Sequence, residues 1–320
     1  MVSLPVSLSP SPLSLLPFRL EFLKLERVST PTTPIPQNTY ASFEPPPPVV
    51  SVENDPDNPP WGAALALLVW LASIVLLAVV QVAAIVPYAV HKASTGATDT
   101  TQLANDPNFL LIGILAIIPA HLATFGLVWA VVTRFRKRPF WQSIGWGWPP
   151  RFGFWASVGA AVLLFIASAV ITQFIPGGKT PFEEMLESSA ATRFAAAFMA
   201  VATAPLVEEL VYRGVLYPAL RRAAGMAWAV VIVSVMFAAV HVAQYYNNLG
   251  VVASISLLSF ALTYVRARTG RVLPCFIIHL VFNGVQVALL IVQYFYPDIL
   301  SGATKTGLLA PAYVALLPLF

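Results

Sequence analysis

An all-α, polytopic transmembrane helical bundle of about seven to eight spans is the fold this sequence predicts. Hydrophobic residues fill 58% of its 320 positions and charged residues only 10%, where soluble domains carry about a quarter charged. Several apolar runs reach the roughly 18 residues that a membrane helix requires. The runs are continuous and do not alternate, which excludes a closed β-barrel. The pI of about 9.3 does not imply a nucleic-acid partner, because the basic residues cluster at span ends, where they set topology. The single cysteine, Cys275, cannot form an internal disulfide and reads as a small buried residue.

Residues 1–60 hold half of the chain's 28 prolines, including Pro45, Pro46, Pro47 and Pro48. Proline removes donors and breaks helices. This segment is therefore expected to be a disordered, proline-rich tail, followed by a transmembrane domain over 61–320. Within the tail, 18–28 fits a short amphipathic helix with Arg19, Lys24 and Arg27 on its polar side. A mis-called upstream start is an equal reading of the whole segment.

Seven spans follow, near 61–90, 109–132, 152–175, 193–220, 227–244, 249–265 and 273–294. The apolar stretch 308–320 is short and proline-bearing, and reads as a re-entrant or interfacial piece. Arg134, Arg136, Lys137, Arg138 and Arg151 follow the second span. Arg221 and Arg222 follow the fourth, and Arg266, Arg268 and Arg271 the sixth. The positive-inside rule assigns these loops to the cytoplasm. The expected location is multi-pass in a membrane, with the plasma (inner) membrane favoured. Between the third and fourth spans, Pro176-Gly177-Gly178 reads as a turn. The acidic stretch after Pro181 reads as a short interfacial helix, more a solvated connector than a lid.

The fourth span contains Glu208, Glu209 and Arg213. A charge at the bilayer centre costs about 2.5–3.5 kcal/mol on insertion scales, so three within six residues make a poor plain anchor. On a helix Glu209 and Arg213 are four apart and can pair. Glu208 is rotated by roughly 100° and faces elsewhere. Pro205, one turn earlier, can loosen the helix there. The bland alternative is a buried ion pair that only locks helices together. His241 in the fifth span, and His279 with Asn283 four residues apart in the seventh, add two imidazoles and an amide. Each alone is readily a packing residue, as His121 in the second span is taken to be. Together on three helices they supply a base, a charge partner and hydrogen-bond donors, which is the inventory of a hydrolytic site. By rise per residue, Glu208 and His241 lie about 20 Å from the cytoplasmic ends of their spans and His279 roughly 10 Å. One shared cavity then requires tilted helices or an elongated pocket.

The ordered set Glu208-Glu209-x-x-x-Arg213, Phe237-x-x-x-His241 and His279-x-x-x-Asn283 resembles the three motifs of the CPBP family. This family comprises the type II CAAX prenyl endopeptidase and bacteriocin-processing-like, or Abi, intramembrane proteases. The resemblance covers about 150–300. It implies a glutamate-dependent endopeptidase acting on a peptide or protein, prenylated in the case of eukaryotic relatives. On the chemistry of the residues, Glu208 is the base and His241 helps to hold or deprotonate the water. His279 and Asn283 donate to the oxyanion, and Glu209 with Arg213 supports them. No cofactor is expected. Zinc is the rival, since His and Glu are legitimate ligands, but there is no His-Glu-x-x-His helix. Two other functions remain open. One is a non-catalytic scaffold or bacteriocin self-immunity protein of the same fold. The other is a proton-coupled transporter, since buried Glu and His also relay protons.

Overall fold

The computed structural model describes residues 55–96 and 99–297. The proposed helix at 18–28, the rest of the tail to residue 54 and the stretch 308–320 lie outside the described residues. Among those described there are only helices and their connections. The first is α1 (Ala63–Ser94), followed by the short α2 (Thr100–Ala104). The second predicted span is divided at Ala116 into α3 (Pro107–Leu115) and α4 (Ile117–Thr133). After α5 (Phe140–Ser143) comes α6 (Phe154–Phe174), which matches the third span. Then follow α7 (Pro181–Ser188), α8 (Ala190–Ala202) and α9 (Ala204–Glu209). A π-helical turn (Leu210–Leu216) leads into α10 (Tyr217–Tyr245), and the described helices end with α11 (Leu249–Thr269) and α12 (Leu273–Phe295).

Six stretches among the described residues are long and apolar enough to cross a membrane. One of them, Ala190–Tyr245, has 56 residues and would extend about 84 Å as a straight helix, against roughly 30 Å of hydrocarbon. It does not run straight. At Gly225 the backbone leaves the helical region, with φ +82° and ψ 167°, a conformation that glycine alone adopts cheaply. The chain folds back there. Tyr212 and Phe237 stack edge to face across the turn with ring centroids 5.0 Å apart. The fourth and fifth predicted spans are therefore two arms of one hairpin with no loop between them. The chain is an integral, multi-pass helical membrane protein. Leu68, Val79 and Val82 on α1 and Leu163, Ile166 and Val170 on α6 are exposed, as lipid-facing positions of such a bundle must be.

The acidic connector is docked rather than merely solvated. Thr180 and Glu183 form a capping box at the start of α7, with Thr180 N–H donating to Glu183 at 2.6 Å and Glu183 N–H to Thr180 Oγ1 at 3.2 Å. Its apolar side buries Leu186 among Ile114, Met199 and Leu290. The preceding turn lies tight against the α10–α11 junction: a Cβ on Gly177 would come within 2.3 Å of Asn248, so only glycine fits.

Two carboxylates outside the spans clamp the bundle ends. Burial alone would raise the Asp57 carboxyl, but Arg266 and Arg221 outweigh it and hold it below its ordinary 3.8. The Lys92 ammonium, 2.9 Å from Asp106, prevails over desolvation and with Tyr88 brings that carboxyl down to about 2. Both groups bind protons less readily folded than unfolded. Their stabilisation is complete above about pH 5 and is lost as pH falls through the acid range, for Asp106 toward about 2. Thermal unfolding in detergent should accordingly be flat from neutrality to about pH 5 and fall below pH 4. The Asp57→Asn variant should melt lower at neutral pH and lose less on acidification.

Candidate active site

The site begins where α8 ends. Thr203, with φ −123° and ψ −42°, breaks the helix, and Pro205 stands in the first turn of α9. There its missing N–H would have had no intrahelical partner anyway, so it starts a helix instead of kinking one. This is the physical form of the loosening expected at Pro205. Glu208 and Glu209 sit in the last turn of α9, directly before the π turn. Such wide turns occur mostly as single insertions, often at functional sites.

Glu209 and Arg213 are both fully buried and pair at 3.0 Å between Oε1 and Nη1. The guanidinium spends its other donors on α11: Nε on Thr263 Oγ1 at 3.3 Å, and Nη2 on the carbonyl and hydroxyl oxygens of Ser259 at 3.0 and 3.1 Å. Its Cζ lies 4.8 Å from the Phe237 ring centroid, so the charge is also stacked. Glu209 Oε1 takes a second partner, His279 Nδ1 at 2.9 Å. Its other oxygen, Oε2, is buried without a hydrogen bond in the protein. Two helices thus converge on one carboxylate atom.

His279 Nε2 in turn lies 3.9 Å from Glu208 Oε2. That is ion-pair range, longer than a hydrogen bond. Glu208 is about a quarter exposed, at 24%, while His279 is nearly fully buried. Among the described residues Glu208 has no hydrogen-bond partner, so its carboxylate is available to something else. With Nδ1 donating to Glu209, a neutral His279 presents a lone pair at Nε2. It donates from Nε2 only in the doubly protonated form.

His241 donates Nδ1–H to its own helix, at the Phe237 carbonyl 2.8 Å away, so in the neutral ring Nε2 is an acceptor. The Phe237 ring separates the two imidazoles: its centroid is 4.7 Å from that of His241 and 5.9 Å from that of His279. Asn283 lies one turn beyond His279 and donates one amide hydrogen to Ala200 O at 2.9 Å. A second amide hydrogen remains. Arg213, Glu209, His279 and Glu208 thus form one run of contacts, His241 adjoins it through the Phe237 ring, and Asn283 is held by α8 one turn beyond His279.

The expected mismatch in depth has a definite cause. Glu208 stands seventeen residues before Gly225 and His241 sixteen after it, so the fold-back puts them level. His279 reaches the same level because the hairpin tip projects past the α11–α12 turn. Arg266, near the end of α11, donates from Nε to Arg213 O at 3.1 Å, well before the tip.

His121 was not among the expected site residues. Its Nδ1 lies 2.8 Å from Thr203 Oγ1, at the helix break, and it is within electrostatic reach of Glu208. Nothing in its own span marks it, since the signal is the tertiary approach of α4 to α9. Among the described residues no group of three or more His, Cys, Asp or Glu side chains converges as metal ligands. His279 Nδ1 is engaged by Glu209 and His241 Nδ1 by a carbonyl, which leaves one nitrogen on each ring.

Fold and site together define a multi-pass helical membrane protein with a buried carboxylate–arginine–histidine cluster beside an available carboxylate. Residues 190–285 match the family model described as Type II CAAX prenyl endopeptidase Rce1-like. The matched segment carries all three motifs, in agreement with the resemblance to the CPBP family. Comparison with curated proteins and with solved structures finds no match.

Proposed function

We propose that the chain is an intramembrane endopeptidase that cuts a peptide bond with a water activated by Glu208. The observation that carries this reading is the available Glu208 carboxylate beside His279, whose other nitrogen is held by the Glu209–Arg213 pair. The Glu208 carboxylate takes a proton from water while His241 Nε2 accepts the water's second O–H. The resulting hydroxide adds to the scissile carbonyl carbon. Charge then builds on the carbonyl oxygen, where the second Asn283 N–H and the Nε2–H of doubly protonated His279 donate to it. Glu208 returns its proton to the amide nitrogen, the C–N bond breaks and an amine leaves. Glu209 and Arg213 set the rotation of the helix and hold the His279 ring.

A peptide or protein substrate is in keeping with the domain, and we infer a prenylated cysteine near its cut site, a reading supported by the name of the matching family alone. The reading is metal-free. Purified protein is to be incubated with a peptide library, with and without a prenylated cysteine. Cleavage of prenylated members alone is the expected result, and cleavage of none would end the endopeptidase reading. Exhaustive chelation should leave the rate unchanged. Loss on chelation with recovery on added zinc would replace the glutamate mechanism with a metal one.

A further inference from the structure

Residues 56–61, Pro-Asp-Asn-Pro-Pro-Trp, precede the first span and lie outside the segment that matches the family. Their prolines lack N–H groups, so the strap cannot build a helix or sheet of its own. Arginines from distant helices satisfy its carbonyls instead. Arg266 Nη2 donates to Pro56 O at 3.1 Å, Arg134 Nη2 to Pro60 O at 3.3 Å, and Arg222 to the carbonyls of Pro59 and Trp61. Asp57 pairs with Arg266 Nη1 at 2.6 Å and also with Arg221. The strap is closely packed as well: a Cβ on Gly145 would stand 3.1 Å from Pro56 Cβ.

Two donors anchored in this strap region end inside the π turn. Trp61 Nε1 donates to Val215 O at 3.1 Å, and Arg266 Nε to Arg213 O at 3.1 Å. From Asp57 the contacts run without interruption to Arg266, Arg213, Glu209 and His279, with Glu208 at the far end. We propose that Asp57 is a positioning residue for the candidate active site, acting through Arg266 and the π turn on Glu209 and His279. The inference rests on the reading of Glu208 and His279 as reacting groups. Physically, a π turn holds one residue more per turn than an α turn. Its collapse to α geometry would rotate the helix before it relative to the helix after it by about 100°. That rotation would carry Glu208 and Glu209 away from His279. The two outside donors hold the wide turn open, and Asp57 holds one of those donors in place.

The test uses the full-length protein labelled with 15N-histidine; the chain has four histidines, and His279→Gln assigns the resonances. Asp57→Asn and Trp61→Phe should each lower kcat about tenfold with KM unchanged. Both should shift the His279 ring-nitrogen resonances and leave those of His91 in place. Asp57→Glu should restore most of the rate. Should Asp57→Asn fail to fold, Arg266→Lys decides, because it keeps the charge beside Asp57 and removes the Nε donor to Arg213 O. Unmoved His279 resonances in the folded variants would overturn the proposal, whether or not kcat falls. If the wild-type protein cleaves nothing, the endopeptidase reading fails, while the resonances still decide whether the strap controls His279.

Discussion

Replacing Glu208 by glutamine should reduce peptide cleavage at least 100- to 1000-fold, the loss typical of removing one major group from a hydrolytic site, with the melting temperature unchanged. The two halves of this expectation have separate causes. Glu208 has no hydrogen-bond partner among the described residues and is a quarter exposed, so an isosteric amide leaves no donor unpaired and no cavity. The amide cannot take a proton from water, so the attacking hydroxide is not formed. Rate and KM measured on the same preparation check this. A fall in kcat at constant KM marks an interaction made only in the transition state. If the cellular phenotype survives Glu208→Gln in a folded protein, the function is the non-catalytic scaffold or immunity role. Solute flux into proteoliposomes without any cleavage would favour the transporter.

The same carboxylate shows how far sequence reasoning reaches. Spacing alone placed Glu209 with Arg213, because four residues on a helix always share a face, and the pair forms. It also turned Glu208 away from that pair. The approach of His279 to Glu208 and Glu209 was legible only as co-occurrence, since no local pattern says which helix faces which. Three features were not legible. A reversal between the fourth and fifth spans was expected within 220–227, but that Gly225 alone makes it, with no loop, rests on one backbone angle. The π turn has no composition of its own. The strap at 56–61 reads as the end of a proline-rich tail because its partners, Arg134, Arg221, Arg222 and Arg266, lie far along the chain. Asp57 and Arg266 are separated by 209 residues. The arginines that read as topology signals at span ends thus have a second task in holding the strap. His121 escaped for the same reason, as only the tertiary approach of α4 to the break at Thr203 brings it to the site.

Arg213→Met should destabilise the protein by about 3–5 kcal/mol, because it leaves a fully buried carboxylate without its arginine partner. The side chain it removes is no ordinary ion-pair member. One guanidinium joins Glu209 on α9 to Thr263 and Ser259 on α11 and packs on Phe237 from α10. Its loss leaves the Glu209 charge, and acceptors on a second helix, unsatisfied at once. Glu209 Oε2 already lacks a hydrogen bond in the protein, and the one side-chain contact left to the carboxylate would be His279 Nδ1 on Oε1. Arg213→Lys should recover only part of the loss: an ammonium keeps the charge but cannot span both helices with a planar fork. The decisive comparison is the double variant Glu209→Gln, Arg213→Met. Removing both charges takes away the uncompensated buried carboxylate, so the double variant should melt above Arg213→Met alone, a non-additivity expected only of directly coupled groups. Stability and activity should then part company. The double variant folds better than the single one, yet it lacks the carboxylate that holds His279 Nδ1, and its cleavage rate should stay low. Equal melting of the single and double variants would show that Arg213 is held by packing and not by Glu209. Recovery of activity along with stability would remove Glu209 from the chain of contacts that orients His279.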